Sequence, residues 1–354
     1  MNDLQPYGSQ KVATVLAAAY AQLGHDVTVI TIESTSHDAL LLADGVTRTM
    51  VVRRSRGARG YLQAVRDLRR ALLGYRPDVV ISHMVLSNVI SLAATSWGAL
   101  SSVPVVVTEH GIASLALERE RSKRTIGALA RRLYPRAARV VGVSDAVVAD
   151  ALSTYGLRHE LGRTIYNPVD VASVRERGRI ATGHPWLTRE LRPNTLVCVG
   201  EFRDVKGQDL LIEAMCFLPG HRAIFLGGGA SLEDGRALAV QLQVEDRIDF
   251  AGYSDAAPSF MAESAALVIP SRAEGFGLVA IEAAAVETPV VGTRVGGLLE
   301  LIPRYVPGVL VEPEDAGALA EGIRSLLELS CDHGDLREFG PDEVAVRYLR
   351  AAGF

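Results

Sequence analysis

Two glutamates, Glu274 and Glu282, lie eight positions apart in a stretch that joins an apolar run to closely spaced glycines. The apolar run, 265–269, predicts a buried parallel strand, and a turn with two glycines then leads into an Ala-rich helical pattern. A strand, a glycine turn and a helix N-terminus form an anion site, because free N–H groups and the helix dipole both favour negative charge there. Carboxylates repel phosphate, so we interpret the glutamates as acceptors for sugar hydroxyls that flank a diphosphate.

A second candidate for anion binding follows the predicted strand 195–199. The loop after this strand contains Lys206-Gly207 and opens a helical pattern. A basic residue in such a turn is suited to clamp a phosphate group. A solvated loop lysine is the alternative interpretation.

His110 follows another predicted strand, 103–108. The residue is therefore expected at the carboxyl end of the first sheet, where open α/β sheets bind their ligands. A histidine that only caps its loop is the alternative interpretation.

Apolar β-like runs alternate with helical patterns along the whole chain, which predicts the α/β class with two doubly wound parallel sheets. A length of 354 residues suits two domains, and polar sequence at 175–193 places their division near residue 170. The predicted strands are 26–32, 49–52, 78–82, 103–108, 139–143, 164–166, 195–199, 222–226, 248–250, 266–269, 289–292 and 308–311.

Bulk composition, with 48% hydrophobic and 22% charged residues, is typical of a soluble globular protein. Three cysteines without paired spacing, and a start that resembles no signal peptide, favour the cytoplasm. The apolar stretch 86–107 is interrupted by polar residues and predicts a core helix followed by a strand, not a membrane span. Histidines and acids show no metal-ligand spacing, so no metal is expected.

Charge is distributed unevenly along the chain. Residues 1–170 carry 20 Lys and Arg against 14 Asp and Glu, a net charge of +6, whereas the remainder carries 17 against 27, a net charge of −10. Arg48–Arg76 and Arg119–Arg139 hold most of the basic excess, and both are candidates for contact with an anionic membrane surface. Solvated helix faces are the alternative. Nucleic acid is not expected, because aromatic residues make up only 6% of the chain and no nucleic-acid motif is recognised.

The segment 270–282 resembles the Glu-x7-Glu signature of the retaining glycosyltransferases of family 4. Lys206-Gly207 is similar to the Lys-Gly of the family's diphosphate loop, and His110 stands in a Thr-x-His context like that of the family. The resemblance covers about residues 8–354 and is strongest over 195–300. A structural Rossmann-like turn with two surface glutamates is the alternative.

The resemblance implies the GT-B fold, in which two doubly wound Rossmann-like domains face a central cleft. It implies an acceptor-side domain at 1–170, a nucleotide-sugar-binding domain at 171–340, and a C-terminal helix at 341–354 that packs back on the first domain. The apolar strand that the family has before Gly8-Ser9 is missing from the sequence, so we expect a truncated or divergent start.

Residue roles also follow from the resemblance. Glu274, His110 and Lys206 form the implied catalytic set, in which Glu274 holds a donor-sugar hydroxyl. Glu282 is expected to hold the ribose hydroxyls, and Gly8 and Ser9 to face the acceptor. The implied nucleotide-sugar site comprises Arg203, Lys206, Glu274, Gly275, Phe276, Gly277, Leu278, Val279 and Glu282.

This sequence departs from the family at one position of the diphosphate clamp. The family has an arginine where this chain has Glu201, and Arg203, two residues later in the same loop, is the candidate replacement.

The resemblance implies a retaining glycosyltransferase, and the lack of metal-ligand spacing fits an enzyme that is independent of metal and needs no cofactor. The expected donor is a nucleotide sugar, UDP-linked as in most relatives, and the transferred group a hexose or N-acetylhexosamine. The expected acceptor is a lipid-linked or cell-surface glycan such as lipopolysaccharide, at the inner face of the cell membrane. A catalytically silent GT-B subunit that binds or regulates a partner is the alternative. A GT-B epimerase would need an acid and a base on opposite faces of the sugar, and the sequence offers no clear pair.

Overall fold

The computed structural model describes residues 8–32, 42–50, 57–119, 121–328 and 334–354. Within these ranges, strands and helices alternate in the order that the sequence predicts. The strands are β1 (Val27–Thr31), β2 (Val46–Met50), β3 (Val80–His83), β4 (Val105–Glu109), β5 (Arg139–Gly142), β6 (Gly162–Thr164), β7 (Thr195–Val199), β8 (Arg222–Leu226), β9 (Ile248–Gly252), β10 (Ala266–Ile269), β11 (Val290–Thr293) and β12 (Gly308–Val311). The α-helices are α1 (Gly8–Gln22), α2 (Gly57–Tyr75), α3 (Val85–Thr95), α4 (Ala113–Arg119), α5 (Arg121–Leu133), α6 (Asp145–Tyr155), α7 (Val171–Gly178), α8 (Gln208–Ala214), α9 (Leu232–Gln241), α10 (Ala257–Glu263), α11 (Leu278–Ala285), α12 (Leu298–Tyr305), α13 (Ala316–Glu328) and α14 (Pro341–Ala352).

Each predicted strand overlaps an observed one, and β2 and β6 differ most from their predictions. β6 ends at Thr164, the residue at which the predicted strand 164–166 begins. β2 begins at Val46, because its pairing with Val27 of β1 starts directly after the turn at Gly45. Residues 51 and 52, where the predicted strand ends, lie outside the described ranges.

The chain divides into two compact units, of which the first comprises Met1–Val169 and Glu338–Phe354. Its described strands form a parallel sheet β3-β4-β5-β6 and a separate parallel pair β1-β2. β4 is buried along its whole length, and α14 packs against α1 and β4. Residues 1–7, on which the expectation of a missing first strand rests, lie outside the described ranges.

The second unit, Asp170–Arg337, contains a six-stranded parallel sheet in the order β12-β11-β10-β7-β8-β9. Its core includes fully buried residues such as Leu211 and Phe225, and α13 packs against α8, β11 and β12. Chain order reverses between β7 and β10, which are neighbours in the sheet. In open α/β sheets, ligands bind at the carboxyl ends of the strands beside such a reversal.

Within the ranges described above, no helix combines the length and the apolar character that a bilayer crossing requires.

Candidate functional site

The reversal between β7 and β10 brings together two predicted site residues that are 68 positions apart. Lys206 follows β7 and Glu274 follows β10, and Lys206 Nζ donates to Glu274 Oε2 at 2.7 Å. The hydroxyl of Ser271 donates to the same carboxylate oxygen at 3.2 Å. The Glu274 side chain is only 11% exposed, against 33% for Lys206, so this carboxylate has a cation and a hydroxyl as partners where solvent is largely excluded.

Close backbone packing fixes the turn that carries Lys206. Residues Asp204–Lys206 form a short 3₁₀ turn, and the N–H of Arg272 donates to the carbonyl of Val205 at 2.9 Å. Gly207 follows with φ +64°, and a Cβ at this position would lie 2.1 Å from the carbonyl oxygen of Pro270. Glycine is therefore required here, both for the left-handed backbone and for the contact between the two loops.

The predicted nucleotide-sugar segment, 274–279, leads directly into the N-terminus of α11. Gly277 is the N-cap of this helix, and since glycine has no side chain it cannot cap the N–H groups of the first turn. Phe276 is buried, and Glu282 lies within α11 with 9% exposure. The segment thus contains the Glu274 carboxylate, which can accept from hydroxyl groups, and leads into a helix N-terminus without a side-chain cap, which can bind an anion.

The Gly296-Gly297 pair after β11 supports the Glu274 loop, and the sequence patterns did not single it out. The N–H of Gly297 donates to the carbonyl of Glu274 at 3.2 Å. Gly296 has φ +46°, and its backbone lies directly against the same carbonyl. Adjacent glycines after a predicted strand are the sequence signal for this contact, but they do not reveal which loop they meet.

Arg203, the candidate replacement for the family arginine, forms an ion pair with Glu201, the residue that stands in place of that arginine. Its Nη1 atom lies 3.7 Å from Glu201 Oε2, and both side chains are exposed. The Glu201 backbone carbonyl accepts from Gln208 Nε2 at 3.0 Å, which ties the start of the loop to α8.

In the first unit, His110 lies just beyond the carboxyl end of β4 and faces a second histidine that sequence analysis did not single out. His83, the last residue of β3, has its Nδ1 atom 3.0 Å from His110 Nε2. Burial lowers the pKa of His110 to about 4, and burial together with His110 lowers the pKa of His83 well below its usual range. Burial therefore favours the neutral form of both rings near pH 7, and in that form one of the facing nitrogens donates and the other accepts.

Glu109 lies beside His110 at the end of β4 and is buried in the first unit. Its carboxyl accepts from the Tyr134 hydroxyl and from Asn88 Nδ2. Burial raises the pKa of Glu109 to about 7, although these two hydrogen bonds oppose the shift. Asp150 adds to the upward shift through like charge.

Gly8 and Ser9, predicted on the acceptor side, are the first residues of α1. The Ser9 hydroxyl donates to Gln10 Oε1 at 2.7 Å. These contacts are local to the helix start. Side chains of His, Cys, Asp and Glu in the described part of the chain form no group of three or more that would hold a metal ion.

The N-terminal and the C-terminal half of the chain each match a known family. Residues 185–341 match the family described as Glycosyl transferases group 1, and residues 6–173 match Glycosyltransferase Family 4. The D-inositol 3-phosphate glycosyltransferase of Mycobacterium tuberculosis is 32% identical over an alignment 272 residues long, which covers 71% of this chain and 54% of that protein. The match thus spans about half the length of this curated relative.

Solved structures with the same fold include a complex of Anabaena HepE with UDP and glucose, with a TM-score of 0.76 and 21% identity. The superposition covers 100% of this chain and 93% of HepE. The lipopolysaccharide outer core galactosyltransferase WaaB has a TM-score of 0.75 and 15% identity, over 99% of this chain and 96% of WaaB. At these identities the likeness establishes the fold, which is the GT-B arrangement of α/β units with parallel sheets.

Proposed function

Because this chain belongs to the GT-B glycosyltransferases of the family 4 type, we propose that it transfers a hexose or N-acetylhexosamine from a nucleotide sugar to a glycan acceptor with retention of anomeric configuration. The ion pair between Lys206 and Glu274 at the strand reversal carries this proposal. One cation and one carboxylate in contact match the two parts of the donor, an anionic diphosphate and a hydroxyl-bearing sugar.

In the structure the charges of Lys206 and Glu274 neutralise each other. When a donor binds, Lys206 exchanges its carboxylate partner for a diphosphate oxygen, and Glu274 exchanges its cation for a sugar hydroxyl. Both charges therefore keep a partner throughout. A desolvated charge without a partner would be costly in so enclosed a site. The exchange places positive charge where the leaving diphosphate develops negative charge, and so favours the transition state.

The start of α11 supplies the remaining donor contacts in this proposal. N–H groups at Gly277, Leu278 and Val279 would bind diphosphate oxygens, and Glu282 the ribose hydroxyls. Lys206, these amides and Arg203 together supply positive charge without a metal ion. The protein's main contribution is then to position the reactants and stabilise charge.

We propose UDP as the nucleotide and a lipid-linked or cell-surface glycan as the acceptor. Support for UDP comes from the related fold of HepE, whose structures contain UDP, glucose and UDP-glucose. Support for the acceptor class comes from WaaB, a lipopolysaccharide galactosyltransferase. On the acceptor side, His110, Gly8 and Ser9 are the proposed contacts.

We further propose that the first unit contacts an anionic membrane surface through α2. Its solvent face combines exposed arginines with the exposed leucines Leu62 and Leu73, and the guanidinium of Arg69 lies 4.6 Å from the ring centre of exposed Trp97. Arginines beside exposed apolar side chains suit the interface of an anionic bilayer. Within the two predicted basic segments, residues 51–56 and 120 lie outside the described ranges.

Calorimetry with UDP, GDP and ADP, followed by transfer assays with the matching nucleotide sugars, tests the proposed activity. We expect UDP to bind and the product to keep the anomeric configuration of the donor, as read by proton NMR coupling constants. Absence of binding by all three nucleotides would favour the catalytically silent subunit. A product with inverted configuration would contradict the retaining mechanism.

A further inference from the structure

Arg272, two residues before Glu274, has more polar partners than a surface arginine ordinarily has. Its Nη1 and Nη2 atoms donate to the two carboxylate oxygens of Asp209 at 2.8 and 2.6 Å. Nη1 also donates to the backbone carbonyl of Asp204 at 2.7 Å, and Nε donates to Glu314 Oε1 at 2.6 Å. The guanidinium thus joins three loops, which follow β7, β10 and β12.

These bonds leave the guanidinium little capacity to bind a ligand. An arginine has five N–H donors in a fixed plane, and the bonds to Asp209, Asp204 and Glu314 engage all three of its nitrogens. The hydrogen bonds to Asp209 raise the pKa of Arg272, so its positive charge is fixed. Arg272 therefore acts on the site through the residues it holds.

Arg272 and the residues it binds lie beside both members of the site's ion pair. Asp204 begins the turn that ends in Lys206, and Asp209 lies in the first turn of α8 just after it. Arg272 itself belongs to the loop of Glu274. Arg272 thus donates to two successive carbonyls of the turn. Its side chain donates to the Asp204 carbonyl, and its backbone N–H donates to the Val205 carbonyl.

We propose that Arg272 is a positioning residue that fixes the Asp204–Lys206 turn against the Glu274 loop and thereby sets where Lys206 Nζ meets the donor. This inference rests on the proposed function, in which Lys206 binds the diphosphate. Asp209 and Glu314 are its anchors, since their carboxylates hold the guanidinium in one orientation.

A double-mutant cycle tests the inference with UDP as the probe. Affinity is measured by calorimetry for the native protein, Arg272→Met, Lys206→Met and the double variant. If Arg272 acts through Lys206, Arg272→Met weakens UDP binding about tenfold in the native background but less than about twofold when Lys206 is already absent. Equal losses in both backgrounds would show that Arg272 acts independently of Lys206, and would overturn the inference.

Matched variants separate positioning from general stability. Arg324→Met is the control, because Arg324 likewise bonds a carboxylate, Glu321, and a distant backbone carbonyl, that of Phe217, without contact to the turn. It should leave UDP affinity unchanged even if the melting temperature falls. Arg272→Lys keeps the charge but loses the two-pronged bond to Asp209, so we expect an intermediate affinity. Should Arg272→Met fail to fold, Asp209→Asn breaks the same clamp from the other side and replaces it in the cycle.

A crystal structure of Arg272→Met decides the inference without a ligand. The turn should shift and Lys206 Nζ should leave its position 2.7 Å from Glu274. An unchanged ion pair in that structure would refute the positioning role. If the native protein binds none of UDP, GDP and ADP, the proposed function fails, and this structural comparison still decides whether Arg272 positions Lys206.

Discussion

The backbone of Gly296 lies so close to Glu274 that a Cβ added to Gly296 would approach the Glu274 carbonyl oxygen to 1.7 Å. Since both partners at this contact are backbone, no side-chain rotation can relieve it. We expect Gly296→Ala to displace the Glu274 loop and lower the transfer rate about 10- to 100-fold, measured as kcat/KM with UDP-sugar. Gly220→Ala is the control, because an added Cβ there meets nothing within 4 Å. Full activity in Gly296→Ala would show that this contact does not position Glu274.

Lys206 and Glu274 should respond to mutation in different ways, although they form one ion pair. Lys206→Met removes the proposed diphosphate cation, and UDP affinity should fall about 10- to 100-fold, as for other hydrogen bonds to charged groups. Glu274→Gln removes a carboxylate that holds Lys206 and repels phosphate, so affinity for UDP should stay equal or rise while transfer from UDP-sugar falls. Calorimetry and a transfer assay on both variants check this pattern. A similar loss of UDP affinity in both would contradict the separate roles.

Glu201 offers a test of the altered diphosphate clamp. Its carboxylate lies 3.7 Å from Arg203 and would repel a bound diphosphate. Glu201→Gln should therefore strengthen UDP binding about two- to fivefold, the range for an exposed charge, and Arg203→Gln should weaken it. Glu233→Gln, which breaks the comparable exposed pair with Arg236, should leave binding unchanged. If Arg203→Gln has no effect, Arg203 does not take the place of the family arginine.

Most of the fold could be predicted from the sequence because apolar periodicity and glycine turns are local signals. The strands of the second unit follow from runs such as 222–226 and 308–311, which match the observed β8 and β12. Lys206 and Glu274 could be identified because each stands in a recognisable turn after a strand. The hydrogen bond between Lys206 and Glu274 could not be predicted, because it depends on β10 lying beside β7 rather than beside β9.

Residues that support the site were missed for the same reason. His83 faces His110 because β3 pairs with β4, and the Gly296-Gly297 turn meets Glu274 because β11 pairs with β10. Arg272 has partners at Asp209 and Glu314, 63 and 42 positions away. Such contacts arise from strand order, which periodicity along the chain does not encode.

Membrane contact through α2 can be measured with vesicles. Leu62 and Trp97 are 57% and 52% exposed, and the face they share with arginines should insert shallowly among anionic headgroups. We expect the native protein to sediment with phosphatidylglycerol vesicles but not with phosphatidylcholine vesicles, and less strongly as salt rises. Leu62→Ser with Trp97→Ala should weaken this binding about tenfold. Ile180→Ser, at an exposed apolar position of the second unit, is the control. Equal binding to both vesicle types would exclude an electrostatic docking surface.

Glu109 should impose a pH dependence on stability that is opposite in sign to that of His110. The pKa of Glu109 is raised from 4.5 to about 7, so between these pH values the folded protein holds a proton that the unfolded chain has lost. Its contribution to stability is therefore present at low pH and disappears as the pH rises through that window, by about 3 kcal/mol in total. The lowered pKa of His110, about 4 against 6.5, makes the folded protein bind fewer protons and gives a rise in stability over pH 4 to 6.5.

Because these two slopes oppose each other in the native protein, the Glu109 contribution must be isolated by mutation. Glu109→Gln keeps the size of the side chain and removes its titration. The free energy of unfolding of Glu109→Gln minus that of the native protein should be about 3 kcal/mol more positive at pH 8 than at pH 4.5, in urea titrations followed by circular dichroism. Glu160→Gln, at an exposed position of the same unit, should show no such difference. If the stability difference between Glu109→Gln and the native protein is the same at both pH values, the buried Glu109 carboxyl does not titrate near neutrality and the hydrogen bonds from Tyr134 and Asn88 outweigh its burial.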